Sequence, residues 1–286
     1  MSRLLTEKKQ AWANQFKPNV LRGNPLSPNM SDALRYQKRL HQLIKRMTTD
    51  VEKQLKELFN TDYAKQYFAQ DASISSQARI LTNSLMRKYE EMFSIFSKPM
   101  SEKVVEEAEK SSSTALELSI EQLSGGLTIK ISSISDYTKQ ILDASITENV
   151  ALIKSIPEKY LNGVQQAVMR SITSGQGLKD LVPYLQKHAG ITNRRANLIA
   201  LDQTRKAFNA ISRGKMEKLG LQNFEWLHSG GSNHPRKLHQ KLSGKIFSLD
   251  NPPIIEQNGT TEIRGFPGQL PYCRCKMMPV IKFDEE

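Results

Sequence analysis

The strongest constraint on the fold is a long stretch in which apolar residues recur every three or four positions. From Ser31 onward they share one helical face and charged residues fill the other: Ala33, Tyr36, Leu40, Leu43, Ile44, Met47, Val51, Leu55, Leu58 and Phe59. This spacing predicts an amphipathic helix of about 28 residues, with Ser31 as its N-cap. At a rise of about 1.5 Å per residue, such a helix is about 40 Å long.

Similar patterns follow, separated by proline or glycine. They predict helices over 76–96, stopped by Pro99; from Ser101 to Gly125-Gly126; over 136–153; over 157–172, starting at Pro157; over 178–188, ended by Gly190; and over 193–218. Before Ser124 the chain has a single glycine, Gly23. Because helix-breaking residues are scarce, we expect residues 31–148 to form a stalk or an elongated bundle. Residues 127–134 are either a short strand or a linker.

The two ends of the chain have a different composition. Residues 1–30 contain three prolines between polar residues, which indicates an extended arm with a short helix near Trp12, or a disordered terminus. After Gly220, four strand-like fragments are separated by turn-rich loops: Asn223–Leu227, Lys245–Leu249, Thr260–Arg264 and Lys276–Lys282. The predicted fold is therefore mainly α with a small C-terminal α+β module and an elongated helical N-terminal region. Its antiparallel β module covers 221–286, after helices over 149–220.

The charge of the chain points to a polyanionic neighbour. The formal net charge is +12, from 41 basic and 29 acidic residues, which suits nucleic acid or an acidic protein surface as a partner. A solvated surface with a basic bias accounts for the charge equally well. No apolar run is long enough to span a membrane, and the first residues lack the apolar region of a secretory signal. The two cysteines, Cys273 and Cys275, are separated by one residue, and a disulfide that short would be strained. This indicates reduced thiols in a cytosolic setting.

Residues suited to metal binding gather near the C-terminus. Cys273 and Cys275 offer two thiolate ligands for one zinc ion, and a further ligand would come from His228, His234 or His239, of which His239 is the best candidate. The alternative is a strand-end pair in which one cysteine packs inward.

Two other readings of the same region concern nucleic acid. A ββα-metal nuclease would need a general-base histidine and a metal-held phosphate, but no acidic residue lies between Trp226 and Leu249 to hold magnesium. Arg236, with Lys237 and Lys241, is a candidate for binding phosphate or a carboxylate-bearing partner, unless it lies in a solvated turn. No catalytic motif is present elsewhere in the sequence, so we predict that the chain is not an enzyme.

An ordered set of short motifs from about Asn149 to Val280 resembles the bacteriophage Mu F-like head morphogenesis (minor capsid) proteins. Its parts, in chain order, are Asn149–Ile153 through Val168-Met169-Arg170 and Gly175-Gln176-Gly177; Arg194–Ala200 with Asp202–Arg205, Asn209 and Gly220; Trp226, Pro235-Arg236, His239, Gly244 and Phe247; and Cys273-Arg274-Cys275 before Pro279-Val280. The resemblance places a head morphogenesis domain at 149–286, after an arm at 1–30 and a long-helix region at 31–148.

The resemblance implies a minor structural protein of a tailed-phage head. Such a protein associates with the portal, acts in head morphogenesis and in DNA packaging or ejection, and is found in the virion after assembly in the host cytoplasm. Its implied partners are the portal protein, the major capsid protein or scaffold, and double-stranded DNA. The basic residues expected to contact DNA or a partner are Arg194, Arg195, Arg205, Lys206, Arg236, Lys237 and Lys241. A metal-dependent DNA-processing nuclease and a plain DNA-binding protein remain the alternatives.

Overall fold

A computed structural model describes residues 20–60, 72–131, 136–230 and 235–283. In chain order the described elements are β1 (Val20–Arg22), α1 (Met30–Phe59), α2 (Ala72–Leu123), α3 (Asp136–Thr173), α4 (Leu178–Lys218), β2 (Asn223–Leu227), α5 (Lys237–Leu242), β3 (Ile246–Ser248), β4 (Ile254–Asn258), β5 (Thr261–Arg264) and β6 (Lys276–Lys282). The predicted fold class, mainly α with a small C-terminal α+β module, is confirmed. The short helix expected near Trp12 lies outside the described residues.

Helix α1 follows the predicted apolar pattern and differs only at its start. The side chain of Asn29, not of Ser31, caps the helix, because its Oδ1 accepts the backbone N–H of Ser31 at 3.1 Å. The prediction of Ser31 as the N-cap is therefore wrong by two residues. Asparagine and serine are both favoured caps, so residue type alone does not distinguish Asn29 from Ser31.

Three predicted helix breaks are wrong. Pro99 lies inside α2, Pro157 lies inside α3, and α4 runs through Gly190. Each helix thus replaces two shorter predicted ones. The reason is that apolar contacts continue across the break: Phe93 and Met100, on either side of Pro99, are both buried in the same core.

Packing divides the described chain into two compact units. The first, the helical unit, comprises 28–60, 72–111 and 136–208; the second, the mixed unit, comprises 20–27, 112–131, 209–230 and 235–283. Each unit therefore combines separated parts of the chain. The sequential division into 1–30, 31–148 and 149–286 groups the residues differently and stays a prediction.

Parts of all four long helices build the core of the helical unit. Its large buried side chains include Tyr36, Leu40, Ile44, Met47, Leu55, Tyr89, Phe93, Ile153, Ile156, Tyr160, Leu181, Leu185 and Ile199. Two tyrosine hydroxyls inside this core are paired, as expected for buried hydroxyls, whereas the buried hydroxyl of Tyr160 has no hydrogen-bond partner among the described residues. The hydroxyl of Tyr36 donates to Asn149 Oδ1 at 2.7 Å, and that of Tyr89 donates to Asp50 Oδ2 at 2.6 Å.

An antiparallel sheet of order β1-β6-β2-β3 organises the mixed unit, and β4 and β5 form a separate hairpin. The four predicted strands are present, two of them with the predicted bounds, whereas β1, β4 and α5 were not predicted. Residues 127–131 form no strand, and 132–134 lie outside the described residues. Strand β6 pairs with β2 along one edge and with β1 along the other. The residues of β1 belong to the segment 1–30, for which the sequence predicted an extended arm. Beyond β1, the N–H of Leu26 donates to the carbonyl of Met277 at 2.8 Å.

None of the helices in the described ranges combines the length and apolar character needed to cross a membrane.

Replacing Pro99 with alanine is expected to stabilise the protein. Pro99 is exposed within α2 and cannot donate a helical hydrogen bond, so alanine restores that bond and removes the clash of the ring with the preceding turn. We expect the free energy of unfolding to rise by about 1–3 kcal/mol, measured from the urea midpoint. The control is Pro157→Ala, where the buried ring leaves a void and the gain is smaller. A lower midpoint for Pro99→Ala would contradict the prediction.

Candidate functional site

Three side chains suited to metal binding converge in the mixed unit. His239 Nδ1 lies 3.5 Å from Cys273 Sγ and 3.7 Å from Cys275 Sγ. All three side chains are buried, and their ligand atoms lie within 4.8 Å of one another. The structure therefore brings together the three residues that the sequence named as the preferred set. Of the other two candidate histidines, His228 lies outside this group and His234 falls outside the described residues.

The ring of His239 is held in one orientation by its surroundings. Helix α5 carries it beneath β2, where it meets Trp226 edge-on at a centroid distance of 5.0 Å. Its Nε2 lies 3.1 Å from the carbonyl oxygen of Ile255. Since a carbonyl oxygen only accepts hydrogen bonds, Nε2 carries the proton in this arrangement. The lone pair of Nδ1 then faces the two sulfur atoms.

The two cysteines differ in their protonation. A hydrogen bond from the Cys275 thiol lowers the pKa of Cys273 to about 4, and burial opposes this shift. The same interaction raises the pKa of Cys275. The backbone N–H of Gly268 also donates to Cys273 Sγ at 3.3 Å. The interaction between the two sulfurs therefore favours the thiolate form of Cys273 and the protonated form of Cys275.

The loop that carries the cysteines has an unusual backbone. Tyr272, immediately before Cys273, has φ 62°, a left-handed conformation that costs energy for a residue with a side chain. Gly268 has φ 78°, and a Cβ added there would lie 2.0 Å from Asn209 Nδ2. These two residues set the path that brings Cys273 to His239.

A cavity of about 270 Å³ opens beside the three residues. His228, Arg236, Tyr272 and Arg274 contribute to its wall. The guanidinium of Arg236 donates to the carbonyl of Pro271 at 3.0 Å, which holds its charge at the cavity. The cavity can therefore admit water or a small anion next to the two sulfurs.

Two of the basic residues predicted to bind DNA or a partner are engaged within the helical unit. Arg195 on α4 donates to Ser155 Oγ at 2.8 Å. Lys206 lies 2.8 Å from a carboxylate oxygen of Glu148 and 3.7 Å from one of Asp202. Arg195 and Lys206 are eleven residues apart and so lie on one face of α4, which packs against α3. Their observed contacts are structural.

The remaining predicted contact residues lie in both units. Arg194 is exposed and Arg205 half-buried on α4, whereas Arg236, Lys237 and Lys241 belong to the mixed unit. Lys237 and Lys241 are exposed and one helical turn apart on α5, while His239 between them is buried. Helix α5 thus presents charge on one side and a site ligand on the other.

Substituting Gly268 with alanine is expected to destabilise the protein more than substituting Gly259. Both glycines have positive φ, 78° and 62°, so both variants bear a similar backbone cost. Only at Gly268 does the new Cβ meet another atom within 4 Å. We expect Gly268→Ala to lower the free energy of unfolding by about 1–3 kcal/mol beyond Gly259→Ala. Equal urea midpoints for the two variants would show that the loop relaxes without strain.

Comparison with known proteins gives a family for the region that holds this site. A protein of Haemophilus influenzae described only as an uncharacterized protein is 27% identical to the chain over 287 residues, which cover 99% of the chain. The chain spans 59% of the length of that relative. No solved structure matches the chain. Residues 162–278 match the family described as Phage Mu protein F like protein, which confirms the resemblance over those residues.

Proposed function

We propose that the chain is a minor structural protein of a tailed-phage head that associates with the portal and acts in head morphogenesis and in DNA packaging or ejection. The match of residues 162–278 to the Phage Mu protein F like family carries this proposal. The matched region includes all of α4, the sheet strands β2 and β3, and the cluster of His239 with the two cysteines. The proposed partners are the portal protein and the major capsid protein or scaffold, and the proposed location is the virion, after assembly in the host cytoplasm.

The surroundings of His239 support a structural role rather than a nuclease. A nuclease of the type considered would use a histidine with a ring nitrogen open to a water molecule. Here Nε2 faces the carbonyl of Ile255 and Nδ1 faces two sulfur atoms, and the residue is only 3% exposed. His239 is thus placed to hold structure together, and the proposed protein is not an enzyme.

The charge of the mixed unit supports contact with double-stranded DNA. Residues 235–283 contain eight lysines and arginines against three acidic residues: Arg236, Lys237, Lys241, Lys245, Arg264, Arg274, Lys276 and Lys282 against Asp250, Glu256 and Glu262. Lys237 and Lys241, both exposed and one helical turn apart on α5, form a pair of neighbouring charges within this set. Phosphate contacts of this kind act independently of DNA sequence, as packaged DNA requires.

The chain is expected to be incorporated into phage heads. A tagged chain produced together with the portal and major capsid proteins of the same phage should co-purify with the portal and be found in proheads. Quantitative mass spectrometry of gradient-purified particles gives the copy number relative to the portal. Absence of the chain from both proheads and mature heads would overturn the proposed function.

Binding to DNA is expected to depend on salt through the lysines of α5. Each phosphate contact contributes about 0.9 to the slope of log affinity against log salt, so Lys237→Ala with Lys241→Ala should reduce the slope by roughly 1.8. The matched control pairs Lys53→Ala with Lys98→Ala, two exposed lysines of the helical unit. Fluorescence anisotropy with a duplex of arbitrary sequence measures both slopes. An unchanged slope in the α5 variant would remove these lysines from the DNA contact, and a flat salt dependence of the wild type would remove phosphate binding altogether.

A further inference from the structure

We propose that His239, Cys273 and Cys275 bind one zinc ion, with a fourth coordination position open to the adjacent cavity. The proposal concerns the stability of the mixed unit, and it does not depend on the proposed role in the phage head.

The two nitrogen–sulfur distances in the cluster match those around a tetrahedral zinc ion. With Zn–N about 2.0–2.1 Å and Zn–S about 2.3 Å, tetrahedral geometry separates the nitrogen from each sulfur by about 3.6 Å. The observed separations from His239 Nδ1 are 3.5 Å to Cys273 Sγ and 3.7 Å to Cys275 Sγ. Together with a separation of the two sulfurs below 4.8 Å, these distances are compatible with one ion held by all three atoms.

The arrangement is better suited to a shared cation than to hydrogen bonds alone. Nδ1 has a single in-plane lone pair and can accept one thiol hydrogen bond well. The two sulfurs nevertheless lie at nearly equal distances from it. A cation placed among the three atoms satisfies the nitrogen and both sulfurs at once.

The ring nitrogen of His239 that faces away from the sulfurs makes the contact typical of a metal-bound histidine, a hydrogen bond to a backbone carbonyl. Its Nε2 faces the carbonyl of Ile255 at 3.1 Å, which fixes the tautomer and directs Nδ1 to the ion. The N–H of Gly268 supports Cys273 Sγ in the same way. Two thiolates and one imidazole form a soft ligand set, which selects zinc over magnesium or calcium.

The fourth position faces the cavity that His228 and Arg236 help to line. His228 accepts the N–H of Gly230 through its Nδ1 at 3.2 Å and is not a member of the close group. Water or a small anion beside Arg236 therefore completes the coordination. With this ion in place, α5 and the loop before β6 are joined through metal bonds as well as through packing.

Metal analysis of the full-length chain, purified without chelators or a polyhistidine tag, tests the proposal. We expect about one zinc per chain by mass spectrometry, and a loss of most of it in Cys273→Ser, Cys275→Ser and His239→Gln. The control is His41→Ala, which removes a histidine of the helical unit, away from the cluster, and should keep its zinc. Substitution with Co²⁺ should give the intense visible bands of a tetrahedral site and a thiolate-to-metal charge-transfer band.

A second measurement on the wild-type chain avoids any difficulty with variants that do not fold. Removal of zinc by a strong chelator should lower Tm by at least roughly 5 °C, and added zinc should restore it. Zinc far below one per chain together with a Tm unaffected by chelator would overturn the proposal. Equal zinc content in wild type and in all three ligand variants would overturn it as well. Incorporation into heads is measured separately, so failure of the metal site and failure of the proposed function are distinguishable.

Discussion

Burial of one continuous apolar stripe along each long helix is the constraint on which the helical unit depends. A fully buried leucine, isoleucine or phenylalanine contributes about 1.5–3 kcal/mol, and a proline inside a helix costs about 3 kcal/mol. Around Pro99 the stripe includes Phe93, Met100 and Val104, all buried in the core. Their combined burial exceeds the cost of one proline, so α2 continues where local propensity predicts a stop. The same balance explains Pro157, which is itself buried within α3.

Periodicity therefore predicted the helical faces well and their ends poorly. The buried face of α1 was readable from residue spacing, because a single helix decides which of its residues share a side. Whether a proline ends a helix depends on what packs against both flanks, and this information lies in other parts of the chain. Strand β1 shows the same limit: three residues carry little pattern, and Val20–Arg22 become a strand only because the edge of β6 is available to pair with them.

Cysteine and histidine restrict the possible role of a segment more than lysine and arginine do. Two cysteines separated by one residue, with a histidine earlier in the same C-terminal region, have few roles in a reduced protein. The structure places their ligand atoms within 4.8 Å of one another. Basic residues are less specific, because a lysine or arginine serves equally well in an internal ion pair. Lys206 was predicted to contact DNA or a partner, yet its charge is paired with Glu148, a residue 58 positions away that only the packing of α3 and α4 brings near.

Helix α5 connects the two features of the mixed unit that bear on function. Six residues are too few to form a stable helix alone, so tertiary contacts must hold α5 in place. Its buried side offers Leu242 and His239, and His239 joins α5 to the cysteine loop through its contacts with the two sulfur atoms or, as proposed, through zinc. Its exposed side offers Lys237 and Lys241. Because one short helix carries both sets, whatever anchors His239 also fixes the direction in which these two charges face.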